Sequence, residues 1–250
     1  PIPPASMTKI MTAVMVFEAL ESGEITMDTE FPVSEEAWRR GGAKSGSSTM
    51  FLKLNSMVRV EDLLHGVITQ SGNDACIVLA EGLAGSESAF AARMTARAQA
   101  LGMNSANFVN SPGHEISALD LAKLADYTIR EFPEYYKLYD IRSFTWNGIK
   151  QGNRNPLLGR FTGADGLKTG HTEVSGYGLV GSAERDGERR IVVLNGTESM
   201  AERRDTAISL MTAAFTQFKI YDVFNASERI AEVDVYMGKA SKVGVKAAEP

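Results

Sequence analysis

The chain has 250 residues, enough for one large domain or for a domain and part of another, and its 44% hydrophobic and 23% charged content is that of an ordinary globular protein. Lys and Arg number 26 against 31 Asp and Glu, a net charge of −5 that excludes a general nucleic-acid binder. The single cysteine, Cys76, excludes an intrachain disulfide and reads as a small buried hydrophobe in "NDACIVLA".

In chain order, "SMTKIMTAVMVFEAL" predicts a helix opening at Ser6, an N-cap type of residue, and ending at Gly23. Its apolar run from Ile10 to Leu20, broken by Thr12 and Glu18, is too short to span a bilayer. No basic segment followed by an apolar one marks a signal peptide, and a chain that starts at Pro1 reads as a piece of a longer one. "RRGGAKSGSST" has loop composition. "RVEDLLHGVITQ" predicts a second helix that ends near Ser71-Gly72. A third starts at Asn73 or Asp74, a fourth runs between Ser86 and Gly102, and a fifth opens at Ser117, which with Asp120 resembles a capping box. Strand signals follow in "RSFTW", then in "GYGLVGSA" and "RIVVLNG", which the Asp186-Gly187 turn joins as a hairpin. Ser199 and Glu202 cap a last helix. After Tyr221 the pattern changes to short strands. Helices first, an antiparallel hairpin second and a closing helix describe an α+β arrangement.

Three short motifs stand out. Ser6-Met7-Thr8-Lys9 has the form S-x-x-K, and residues three apart share a helix face. A serine hydroxyl is a poor nucleophile until a base takes its proton. A lysine can be that base only when neutral, a state favoured by burial and by a helix N-terminus. About one such match is expected by chance in a chain of this length, so a surface lysine after a helix cap is the ordinary explanation. Ser71-Gly72-Asn73 is S-x-N; it is equally common by chance, recurs at Ser105-Ala106-Asn107, and has a helix–helix turn as its ordinary explanation. Lys168-Thr169-Gly170 is rarer. It sits just before a strand, where a glycine would let a ligand backbone approach, and its ordinary explanation is a strand-to-turn junction. The order S-x-x-K, S-x-N, K-T-G is the set found in penicillin-binding proteins and class A β-lactamases.

With "PPASMTKIMTA", "QSGNDAC" and "DGLKTGHT…GYGLVGSA", the chain resembles the low-molecular-mass penicillin-binding proteins that are D-alanyl-D-alanine carboxypeptidases. "SSTMFLK" and "FTWNGIKQGNRN" extend the likeness, and Gly72 sets the chain apart from class A β-lactamases, which usually carry Asp there. The resemblance implies a β-lactamase/transpeptidase-like fold over residues 1–222, a mainly antiparallel sheet flanked by helices, and the beginning of a small C-terminal β-rich domain over 223–250. It further implies N-terminal strands ahead of the five residues that precede Ser6, a loop in "FVNSPGHEISALDLA" that is shortened here, and a membrane anchor beyond the C-terminus.

The implied substrate is a peptidoglycan stem peptide ending in D-Ala-D-Ala, with β-lactams as covalent inhibitors. No cofactor, metal or nucleic acid is implied, and the location is the periplasm or the outer face of the cytoplasmic membrane. By resemblance Ser6 is the nucleophile, Lys9 its base, Ser71 the proton relay and Asn73 the residue that holds Lys9. Lys168 adds positive charge beside Ser71, and Thr169 and Gly170 meet the substrate. The backbone N–H groups of Ser6 and His171 form an oxyanion hole. Arg203, at the start of the last helix beside Arg204, and Arg154 are the candidate cations for the substrate carboxylate, with solvated surface charge as the ordinary alternative. A Ser-His-Asp triad would need His65, His114 or His171 beside Ser6, and no G-x-S-x-G elbow is present. The His and Cys residues lack metal-ligand spacing. Alternative activities are a D,D-endopeptidase, a β-lactamase and a non-catalytic cell-wall binder.

Overall fold

The computed structural model describes residues 2–110, 115–219, 227–236 and 240–246. His114 and part of the expected shortened loop lie outside the described residues. The chain forms two compact units, Pro1–Thr212 and Ala213–Pro250.

Helix α1 (Lys9–Glu21) runs through the core of the first unit, with every residue from Lys9 to Phe17 buried. Its apolar residues follow no single stripe because helices surround it. A 3-10 turn, Ala5–Thr8, precedes it. The expectation that Ser6 caps the helix is corrected here. Ser6 lies inside the 3-10 turn, Thr8 takes the N-cap position of α1, and no side chain caps either element. The Ser6 hydroxyl is therefore not spent on the backbone.

Strands β1 (Glu30–Pro32) and β2 (Met57–Arg59) pair antiparallel. Between them the stretch expected as loop contains helical turns at Ala37–Gly41 and Ala43–Ser45. Burial explains the first: Ala37 and Gly41 are inside, and any side chain at Gly41 would collide with the backbone of Asp74. Helices α2 (Val60–Ile68), α3 (Asn73–Ala84), α4 (Glu87–Ala100) and α5 (Ala118–Glu131) match the expected series. Ser86 caps α4 by accepting from Ala89 N, and Ser117 caps α5 by accepting from Asp120 N. The reciprocal half of the expected Ser117–Asp120 capping box is absent, because the Asp120 carboxylate accepts instead from the N–H and hydroxyl of Ser105. That lock makes the second S-x-N match a structural one.

A short helix α6 (Pro133–Tyr136) leads to a hairpin of β3 (Ser143–Trp146) and β4 (Ile149–Gly152). Only the first of these strands is expected from sequence, although Asn147-Gly148 is a hairpin cue and both residues have positive φ. The main sheet is antiparallel, in the order β5 (Ala164–Thr172), β6 (Gly176–Arg185), β7 (Glu188–Thr197). Asp186 and Gly187, at φ 52° and 79°, make the expected turn between β6 and β7. Helix α7 (Met200–Thr216) follows, with Ser199 accepting from Glu202 N. In the second unit, β8 (Arg229–Asp234) and β9 (Lys242–Lys246) form an antiparallel ribbon exposed along its whole length.

Two glycines seat the N-terminal turn on the sheet. Gly170 of β5 stands opposite Gly178 of β6. A Cβ at Gly170 would lie 2.5 Å from the Pro4 carbonyl oxygen and 3.1 Å from Met7 Cγ, and one at Gly178 would lie 2.7 Å from Met7 Cε. The fully buried Met7 thus packs where two side chains would otherwise be. On the side where a Cβ would stand, the backbone that approaches Gly170 closely is the chain's own, just before Ser6. Replacing Gly170 by Ala is expected to lower stability by roughly 1–3 kcal/mol through this overpacking, read as a shift of the urea unfolding midpoint.

Candidate active site

The first turn of α1 brings Lys9 one turn after Ser6, and the start of α3 brings Asn73 to the same point. Lys9 Nζ lies 2.8 Å from Ser6 Oγ and donates to Asn73 Oδ1 at 2.7 Å. Lys9 is only 1% exposed. Burial pushes its amine below the usual lysine range, and Arg154 adds to the effect, while Cys76 and Asp74 oppose it. Lys168 on β5 is 3% exposed, and burial together with the neighbouring Lys9, Arg154 and Arg203 holds its amine well below the usual range. This works against the positive charge expected of it.

Ser71 closes the turn between α2 and α3. It is buried in the left-handed region at φ 60°, and its Oγ has no partner among the described residues. A non-glycine residue held there is a local strain the surrounding packing must support. Gly72 is dictated by space. A Cβ there would sit 2.8 Å from Asp74 Oδ1 and 3.1 Å from Met50 N.

Asp74 organises the site from inside. It is fully buried and accepts from Thr49 Oγ1 at 2.6 Å, Met50 N at 3.0 Å, Leu52 N at 3.1 Å and Ala75 N at 3.0 Å. Asn73 N donates to Ser48 O at 2.8 Å, and Arg154 Nη1 donates to Ser48 Oγ at 2.6 Å. The segment 48–52 is therefore stitched to the start of α3 and carries Arg154 with it.

These residues meet at a cleft of about 450 Å³ lined by Ser6, Ser48, Ser71, Arg154, Thr169, Gly170, His171, Tyr177, Met200 and Arg203. Thr169 and His171 share a face of β5 by the two-residue period of a strand. His171 stacks on Tyr177, its cross-strand partner, at 3.8 Å between ring centroids. Of the arginine pair at the start of α7, Arg203 is the one turned inward: it is buried, with its guanidinium 5.6 Å from the Tyr177 ring and Nε unpartnered among the described residues. Arg204 pairs with Asp205.

Every sequence-predicted site residue thus falls at or beside one cleft. Ser48, Tyr177, Met200 and Asp74 complete it and were not predicted. Tyr177 could have been found from the hairpin register, since it is the partner of His171, but the other three carry no local signal. Among the described residues no histidine is hydrogen-bonded to Ser6. His65 stacks on Phe144 at 4.7 Å, as a packed residue does. Cys76 is fully buried, and burial pushes its thiol up to about 11. No group of three or more His, Cys, Asp and Glu among the described residues could hold a metal ion, and none of their helices is by itself long and apolar enough to cross a membrane.

An α+β scaffold that brings S-x-x-K, S-x-N and K-T-G to one cleft defines the transpeptidase-like fold of penicillin-binding proteins. Residues 1–198 match the family model described as D-alanyl-D-alanine carboxypeptidase, and the chain belongs to that family. The D-alanyl-D-alanine carboxypeptidase DacD of Salmonella typhimurium is 38% identical over 250 residues, covering 97% of this chain and 64% of the relative. The chain therefore spans less than two thirds of that relative's length. Penicillin-binding protein 5 of Haemophilus influenzae superposes with a TM-score of 0.89 at 38% identity, over 98% of this chain and 73% of that one. Penicillin-binding protein D2 of Listeria monocytogenes, solved in an ampicillin-bound form, gives 0.73 at 30% identity, over 86% and 88%.

Asp74→Ala would strand four donors, three of them backbone N–H groups of buried residues, and is expected to lower stability by roughly 3 kcal/mol in urea unfolding.

Proposed function

We propose that this protein is a serine D,D-carboxypeptidase that removes the terminal D-Ala from peptidoglycan stem peptides through an acyl-enzyme on Ser6. The observation that carries this reading is the contact of the buried Lys9 amine with Ser6 Oγ on one side and Asn73 Oδ1 on the other. A neutral amine that donates to Asn73 keeps its lone pair for the serine proton.

In this reading Lys9 accepts the proton as Ser6 Oγ bonds to the carbonyl carbon of the penultimate D-Ala. The oxyanion forms against the backbone N–H groups of Ser6 and His171, where loss of one donor costs about 10²–10³ in rate in comparable sites. The C–N bond then breaks, and the proton passes from Lys9 through Ser71 Oγ to the departing amine of D-Ala. Water attacks the ester, returns a proton to Ser6 by the reverse route and frees the shortened peptide. The buried Ser71 Oγ, with no partner among the described residues, supports the relay. Thr169, Arg154 and Arg203 receive the terminal carboxylate, and two clustered arginines that form no ion pair with a carboxylate among the described residues support an anionic ligand. A β-lactam enters as the acyl donor by opening its ring on Ser6. The ampicillin-bound form of the Listeria relative supports this at the level of the fold. The substrate lies outside the cytoplasmic membrane, which places the protein in the periplasm or on that membrane's outer face.

Incubation with penicillin is expected to add one penicilloyl mass, mapped to Ser6 by mass spectrometry and lost in Ser6→Ala. Lys9→Arg is expected to fold and to acylate at least about 10²-fold more slowly, because arginine stays charged near pH 7. An unmodified wild-type protein would favour the non-catalytic cell-wall binder. Turnover of a D-Ala-D-Ala peptide above nitrocefin and cross-linked dimers separates the carboxypeptidase from a β-lactamase or an endopeptidase.

The acylation rate is expected to fall with decreasing pH as Lys9 gains a proton, with a midpoint below the ordinary lysine value of about 10.4. The stability sign follows the same shift. The unfolded chain binds more protons between the lowered folded value and about 10.4, so Lys9 makes stability rise with pH across that window. Stopped-flow acylation at a series of pH values checks the first of these. A midpoint at the ordinary lysine value would remove Lys9 as the base.

A further inference from the structure

The cleft does not end at the two arginines. A second hollow of about 530 Å³ shares Arg154, Met200 and Arg203 with the first and is lined further by Arg160 and Arg204. No acidic residue lines it. Its two asparagines are already engaged. Asn153 Nδ2 donates to the carbonyls of Tyr139 and Ile141, and Asn155 Nδ2 donates to that of Gly166. Recognition in this hollow therefore falls to guanidinium groups. Arg203, which lines both hollows, is 6% exposed and has a buried Nε with no partner among the described residues. A buried donor left unpaired in a cluster of four arginines points to an anion that supplies the missing acceptor.

We propose that this second hollow is a carboxylate-binding subsite for the side chain of the leaving residue. The inference rests on the functional reading above, in which the α-carboxylate of the leaving residue lies between Arg154 and Arg203. A D-alanine held there ends in a methyl group and leaves the hollow empty. A leaving residue with an acidic side chain extends past Arg203 and meets Arg160 and Arg204. Arg160 is exposed, and Arg204 is held by the exposed Asp205, a pair that costs little to rearrange. The substrate class is thus an acyl-D-alanyl peptide whose leaving residue is a D-amino dicarboxylic acid, with D-alanine as the smaller alternative.

The test compares kcat/KM for three peptides that differ only in the leaving residue: D-Ala, D-Glu and the neutral isostere D-Gln. For the wild-type protein the D-Glu to D-Gln ratio is expected to be about tenfold, as two charge-assisted contacts at an open site would give. In Arg160→Gln/Arg204→Gln the ratio is expected to fall to about one, while D-Ala turnover stays within about twofold. A ratio is unmoved by partial misfolding, so it isolates the two side chains. A wild-type ratio near one, or a ratio that the double variant leaves unchanged, overturns the subsite while D-Ala turnover upholds the carboxypeptidase reading. If the wild-type protein releases none of the three residues, the functional reading fails and the subsite falls with it.

Discussion

A lysine amine sits inside this protein between a serine hydroxyl and an asparagine oxygen, and among the described residues no carboxylate pairs with it. Water is excluded from it by α1, whose residues from Lys9 to Phe17 are all buried. The charged form is expensive in such a place and the neutral form is not. Much of the surrounding structure serves that condition. Asn73 must stand at the first position of α3 to receive the amine's N–H, and Ser71 must turn the chain through a left-handed residue to put it there. Asp74 then locks the turn by drawing four donors onto its carboxylate.

The sheet enters through steric fit. Gly170 and Gly178 leave a depression that Met7 fills, and Met7 is the residue next to Ser6. The K-T-G strand therefore does two things at once. One of its faces carries Thr169 and His171 along the cleft, and its glycine admits the turn that carries the serine. Lys168, buried on the same strand, adds a second amine to a cluster that already contains Lys9, Arg154 and Arg203. Burial first, and then the charge of Arg154 on each, keeps both amines below their usual range. The two arginines, which cannot give up their protons, hold the cleft's positive charge.

Most of the helices were legible because their ends are local. Ser86 and Ser117 bond to backbone N–H groups three residues on, and the Asp186-Gly187 turn needs only its own two positive φ angles. The failures are equally specific. Ser6 has the chemistry of a cap but lies inside a 3-10 turn, because Pro4 and Met7 close that turn and the sheet holds it. The glycine-rich stretch after Arg39 looked like loop, yet close packing of Gly41 against α3 winds part of it into helix. Ser48, Met200 and Asp74 went unseen because what they do depends on residues far along the chain.

The sequence alone determined the chemistry on offer: a serine and a lysine one helical turn apart, a second serine with its asparagine, and a lysine-threonine-glycine strand, in an order that named the family. Those relations are short-range, so spacing encodes them. Convergence is a different matter. Which of two adjacent arginines faces inward, and whether either lysine is buried, were decided by packing between segments as much as 150 residues or more apart. Burial and electrostatic potential are properties of that assembled environment, and no stretch of chain carries them by itself.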